Sequence, residues 1–201
     1  MHSATRAERE CRKPGRPRDE GVREKILNAA VELMEETGYS RLTCDAIAQR
    51  AGAGKATVYR WWPNKAAVVI NAFVESVAPE LPNQKLSSLE EYVTVHMRRF
   101  TKVLMGSKGG FLAAVIAAAQ EDPEVEAAFL SHWLNPRRTV SRRILQEYRD
   151  EGLLSPDADL DLVLDAMYGP LHFVLMLRHA KLSTSYAENL AALILNGLKP
   201  R

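Results

Sequence analysis

The chain has 201 residues, of which 46% are hydrophobic and 26% charged, as in a soluble globular chain of one or two small domains. Its net charge is only +2, but residues 1–74 carry thirteen Lys/Arg against nine Asp/Glu, and the remainder fourteen against sixteen. A basic front and a mildly acidic rear suit a DNA-reading head on a body that does not touch DNA. No apolar run opens the chain, no Cys/His cluster has zinc-ligand spacing, and the most apolar stretch, Leu162 to Leu177, is broken by Asp165, Gly169-Pro170 and His172. No signal peptide, membrane partner, metal or cofactor is therefore expected.

Residues 1–18 are polar and aperiodic and read as a disordered basic arm. Its Gly15-Arg16-Pro17-Arg18 run offers Arg16 and Arg18 to a phosphate or a narrow minor groove. Cys11 in this arm and Cys44 further on are expected to be reduced thiols in the cytoplasm. Asp19 to Thr37 is a predicted helix with Val22, Ile26, Ala29, Ala30, Leu33 and Met34 on its buried face. Gly38 is its predicted end.

The stretch from Leu42 to Lys65, LTCDAIAQRAGAGKATVYRWWPNK, reads as helix, tight turn, short helix, stop and next helix. Thr43 is a natural N-cap, Gly52-Ala53-Gly54 a break, and Pro63 a stop. In the short helix, Val58 and Trp62 are four apart and point inward, leaving Lys55, Ala56, Thr57, Tyr59, Arg60 and Trp61 on the other faces. No Asp or Glu lies between Asp45 and Glu75, so nothing in that interval repels a phosphate backbone. Hydroxyl and ammonium groups position a protein on phosphates, which assigns that role to Thr43, Thr57, Tyr59 and Lys65. Lys55, Ala56, Arg60 and Trp61 are assigned to base edges or the groove floor.

The run AGAGKATVYRWWPNKAAVV closely resembles the DNA-binding signature of the tetracycline-repressor (TetR) family. An Ala-Gly turn (Ala51-Gly52) precedes a short recognition helix with Tyr59, an aromatic pair (Trp61-Trp62), Pro63 and Lys65. It departs from the pattern at Gly54, where many members carry Ser, and at Trp61, often His. Many members also carry a Gly-Arg-Pro-Arg before the first helix. The resemblance implies a bacterial regulator, in most cases a repressor. Such proteins bind a palindromic double-stranded operator as dimers and release it on binding a small molecule.

The fourth helix, Asn64 to about Ala78, connects head and body, and Pro79 closes a head of residues 19–78. Residues 79–201 form an all-α body, bringing the expected total to about nine helices. Ser87 with Glu90 and Ser88 with Glu91 are two overlapping capping boxes for the fifth helix, which runs to about Met105. Gly106 to Gly110 reads as a loop and Phe111 to Gln120 as a buried helix. One long helix from Asp122 to Glu151 should kink at Pro136. Its Arg137, Arg138, Arg142 and Arg143 read as side chains that snorkel over the apolar surface or pair with nearby acids rather than a nucleic-acid site. The eighth helix, from Asp157–Asp161 to about His179, is apolar nearly all round, with a break expected at Gly169-Pro170. The ninth is capped by a Ser185/Glu188 box. Their spare apolar faces predict a homodimer through the eighth and ninth helices, and the resemblance points to the same pair.

Met97, Phe100, Phe111, Phe129, Trp133, Met167, His172 and Phe173 are the candidate lining of an effector cavity. Few charges project from these stripes, so the expected effector is small and apolar or aromatic. An inducer-independent architectural or division-linked DNA-binding protein is the alternative, favoured by a body too tightly packed for a cavity. An enzyme is not expected. His96, His132, His172 and His179 form no legible nucleophile, base and orienting set.

Overall fold

A computed structural model of the chain describes residues 19–198, which contain α-helices, one π-helical turn and no strand. Four helices form the head: α1 (Glu20–Arg41), α2 (Cys44–Ala51), α3 (Lys55–Trp61) and α4 (Lys65–Val77). Each start follows from a local cap. Asp19 accepts from the amides of Gly21 and Val22, Thr43 from Ala46, and Asn64 from Ala67. Gly54 caps α3 with no side-chain bond, the weaker start its lack of a hydroxyl implies. Gly38, at φ 73°, breaks α1 where a stop was expected, but one further turn follows to Arg41. Gly52, at φ 63°, ends α2, and the next amide, Ala53, donates back to the Ala48 carbonyl at 2.9 Å.

The body holds α5 (Leu89–Met105), α6 (Ser107–Ala119), α7 (Pro123–Phe129), the π turn Leu130–Leu134, α8 (Asn135–Asp150), α9 (Leu160–Leu177) and α10 (Thr184–Leu198). With α7, the π turn and α8 taken as one interrupted rod, the described residues hold nine helices, the number expected. The all-α class is as read from the sequence. Of the two overlapping serine caps, the fold uses Ser88, whose hydroxyl accepts from the Glu91 amide at 3.1 Å.

Four local expectations are corrected. Residues 107–110 are helical, and α5 turns into α6 through 87° at Gly106. Pro136 does not simply kink a helix. It has no N–H to return to the preceding turn, and the chain widens into a π turn just before it. α9 runs unbroken through Gly169-Pro170, a proline that costs one backbone hydrogen bond within the helix. Finally, Ser183 and not Ser185 caps α10, accepting from the Tyr186 amide at 3.1 Å.

α9 is also long and apolar enough to pass as a membrane span, with a mean hydropathy of 1.4 over 18 residues, which the interrupting residues had argued against. It packs as a bundle helix against α5, α6, α8 and α10, burying Leu160, Val163, Leu164, Met167, Leu171 and Val174. Its opposite side leaves Leu162, Phe173, Met176 and Leu177 exposed, and Leu193 of α10 is 70% exposed.

The hydrophobic core does not divide at residue 79. One cluster runs from Ile26 and Leu33 of α1 through Val69 and Phe73 of α4 to Phe111 of α6 and Trp133 of the π turn. A second fills the far end of the body with Tyr92, Leu145, Tyr148 and Leu164. α4 is therefore built into the core of both parts.

Candidate nucleic-acid interface and body cavity

Recognition-helix geometry follows from two inward anchors. Val58 is fully buried, and Trp62 is 5% exposed with its indole Nε1 donating to Asn71 Oδ1 of α4 at 3.0 Å. Asn71 also accepts from Arg23 of α1, whose guanidinium is paired with Glu75. The Glu75 hydrogen bond holds the Arg23 pKa above its ordinary value. α1, the end of α3, and α4 are thus tied by one polar network over a shared apolar core.

These anchors leave Lys55, Ala56, Tyr59 and Arg60 exposed and Thr57 and Trp61 half-buried. Arg60 makes no ion pair among the described residues. Lys55 is held by Asp45 at 2.8 Å and lies 6.0 Å from the Tyr59 ring centroid. Thr43 is exposed, and as it caps α2 its hydroxyl accepts, leaving its own proton to donate elsewhere. Lys65 is placed differently. Its ammonium donates to the Tyr39 and Leu42 carbonyls, both at 3.2 Å, and sits 4.2 Å from the Tyr39 ring centroid. Two of its three donors already brace the corner between α1 and α2. Arg16 and Arg18 lie outside the described residues, as does Cys11. Cys44 is buried, and that burial pushes its thiol up, towards the protonated form.

The body contains a cavity of about 170 Å³ between α5, the π turn, α8 and α9. Of the eight candidate lining residues, Phe100, Trp133 and His172 line it. Leu134, Arg137, Ser141, Leu164 and Tyr168 complete most of the wall. Phe100 meets Tyr168 edge-on at 5.4 Å and His172 at 5.3 Å. His172 Nδ1 is 2.9 Å from the Tyr168 carbonyl, which can only accept, so Nδ1 carries the proton. Burial lowers the His172 pKa, leaving the ring neutral with Nε2 as an acceptor.

The other five candidate lining residues lie elsewhere. Met97 is fully buried in the far core, and Phe111 stacks on Phe73 at 5.3 Å. Met167 is core, and Phe129 packs against the head-side cluster. Phe173 is 56% exposed against His179, on the outer side of α9. The expectation of an uncharged lining is also corrected, because Arg137 enters the wall. Its guanidinium lies 4.8 Å from the Trp133 ring centroid, and burial pushes its pKa below the usual range. Spacing carried a signal for it: Trp133, Arg137 and Ser141 are four apart on one helical face. Two others of the basic cluster pair with acids, as expected, and Arg143 is exposed. Arg138 pairs with Asp161 and Asp165, and Arg142 with Asp161 at 3.3 Å.

Comparison with known proteins places this geometry. Residues 26–72 match the family described as "Bacterial regulatory proteins, tetR family", and residues 86–194 match "Tetracyclin repressor-like, C-terminal domain". The HTH-type transcriptional regulator YdeS of Bacillus subtilis (strain 168) is 32% identical over 187 residues, 93% of each chain. Among solved structures, the TetR family transcription regulator SCO0332 superposes with a TM-score of 0.76 at 27% identity, covering 89% of this chain and 99% of that one. The flavonoid-responsive regulator FrrA gives 0.68 at 25% identity, covering 91% and 100%. A head whose short third helix is held outward by Val58 and Trp62, on a body matched over most of its length, makes this chain a member of the TetR family of DNA-binding transcriptional regulators.

Proposed function

We propose that the protein is a ligand-responsive repressor that acts in the bacterial cytoplasm as a homodimer on a palindromic operator. The observation that carries the ligand-responsive part is the position of Trp133. This residue lines the cavity, and its ring packs edge-on against Phe73 of α4 at 4.8 Å. α4 begins directly after the recognition helix, and its cap, Asn64, donates to Glu124 of α7 at 2.8 Å. A ligand that moves Trp133 therefore acts on the helix that orients α3. The π turn carrying Trp133 suits this role, since such turns occur often at functional sites. A cavity at this position also weighs against the inducer-independent alternative.

In this reading Thr43, Thr57 and Tyr59 contact phosphates, Ala56, Arg60 and Trp61 face base edges or the groove floor, and Lys55 exchanges Asp45 for a base edge. Lys65 braces the corner beneath them. The exposed apolar residues of α9 and α10, the predicted eighth and ninth helices, form the two-fold interface; Leu162, Phe173, Leu177 and Leu193 are its centre. FrrA is described as flavonoid-responsive, and its likeness supports a small aromatic effector here.

Selection of bound duplexes from a random pool, with sedimentation of the protein alone, tests the reading. The expected results are a dimer and a palindrome with half-sites about one helical turn apart or slightly more. A monomer, or a pool with no enriched sequence at low salt, refutes it.

A further inference from the structure

Phe100, Trp133 and Leu164 give the cavity apolar walls, yet Arg137 reaches into the same space. Its partners are few. Both terminal nitrogens donate to one acceptor, the Leu81 carbonyl, at 3.4 Å, and the guanidinium lies over the Trp133 ring. Arg137 makes no ion pair among the described residues, and the groups that raise its pKa are the hydroxyls of Tyr92 and Tyr168, not carboxylates. Its neighbour Arg138 is the reverse case. Arg138 faces the same cavity and is tied to Asp161 and Asp165, and Asp165 is the acid in the wall. That pairing neutralises Asp165 and leaves one uncompensated positive charge, on Arg137. A half-buried guanidinium with five donors and one distant acceptor is costly, and a planar anion placed in bidentate fashion relieves the cost.

We infer that the effector is a compact organic acid, its carboxylate held by Arg137 and its apolar or aromatic body packed between Phe100, Trp133 and Leu164. The inference rests on the ligand-responsive reading and narrows its ligand class. Size sets the remaining limit. An apolar cavity of about 150 Å³ holds a benzene ring, so about 170 Å³ admits a one-ring acid or a short aliphatic one. Because Arg137 stacks on Trp133, the carboxylate would draw on the same side chain that touches α4.

The test is calorimetric titration of the full-length protein with matched acids and amides: benzoate, cinnamate, 3-phenylpropionate and octanoate, each against its carboxamide. At least one acid is expected to bind about tenfold or more tightly than its amide, as befits charge-assisted hydrogen bonds. Arg137→Gln should abolish that preference and Arg137→Lys retain part of it, while both variants keep the wild-type helical circular-dichroism spectrum and a cooperative thermal melt, which shows that they fold. Equal binding of acids and amides, a preference that survives Arg137→Gln, or no binding by any acid overturns the inference. Each compound is then added to the protein–DNA complex. Neutral amides that bind and release DNA remove the acid and keep the ligand-responsive reading. Acids that bind through Arg137 but leave the complex intact keep the anion site and remove that reading.

Discussion

Two adjacent glycines at the start of α6 predict opposite responses to the same substitution. At Gly109 an added methyl carbon would lie 2.0 Å from the Leu104 carbonyl oxygen and 2.7 Å from its carbonyl carbon. Both are backbone atoms at the end of α5, so no side chain can swing away. Ordinary contact begins near 3.4 Å, and the corner between α5 and α6 would have to open by more than an ångström. Overpacking of this kind costs about 1–3 kcal/mol, with rigid backbone placing Gly109→Ala at the upper end. At Gly110 the added carbon meets nothing within 4 Å. There Gly110→Ala gains about 0.5–1 kcal/mol from the helix preference of alanine. For a chain of this size 1 kcal/mol moves the melting temperature by roughly 2–4 °C. Thermal melts at one fixed protein concentration should place Gly109→Ala well below wild type and Gly110→Ala level with it or above. Equal shifts for the two variants would refute the close approach of α5 and α6.

Arg60→Ala should lose discrimination between operators differing at one base pair, by ~1–3 kcal/mol if the guanidinium holds a guanine; a base-substituted operator series measured by anisotropy checks this. Tyr59→Phe should weaken binding to all sequences about equally, and a sequence-dependent loss would contradict a phosphate role. His96 predicts a pH effect. Burial lowers its pKa to about 4, so between that value and an unfolded value near 6.5 only the unfolded chain takes up the proton. Stability therefore falls as pH drops through this window and levels off below it, by about 3 kcal/mol for a shift of this order. Denaturant melts of wild type and His96→Phe should diverge in slope between pH 6.5 and 4, and parallel curves would remove the assignment.

Most of the head was legible because its signals are local. Caps at Asp19, Thr43 and Asn64, glycines at 38 and 52, and the four-residue spacing of Val58 and Trp62 act within one or two turns. The body was legible only as helices. In near-continuous apolar stretches such as α6 and α9, periodicity does not say which side meets which neighbour. Phe173 and His172 are adjacent in sequence, yet one is exposed on the outer side and the other lines the cavity.

What the sequence determined by itself was the all-helical class, the helix-turn-helix with its outward residues, and a spare apolar surface on the last two helices. Tertiary structure alone decided that Lys65 braces a backbone corner, that Trp133 joins cavity to α4, and that Arg137 rather than Phe173 enters the wall. The reason is one of range. Capping and turn energies involve neighbours along the chain, whereas a cavity is the space left between α5, α8 and α9. Its lining depends on their rotation and on the π turn that precedes Pro136.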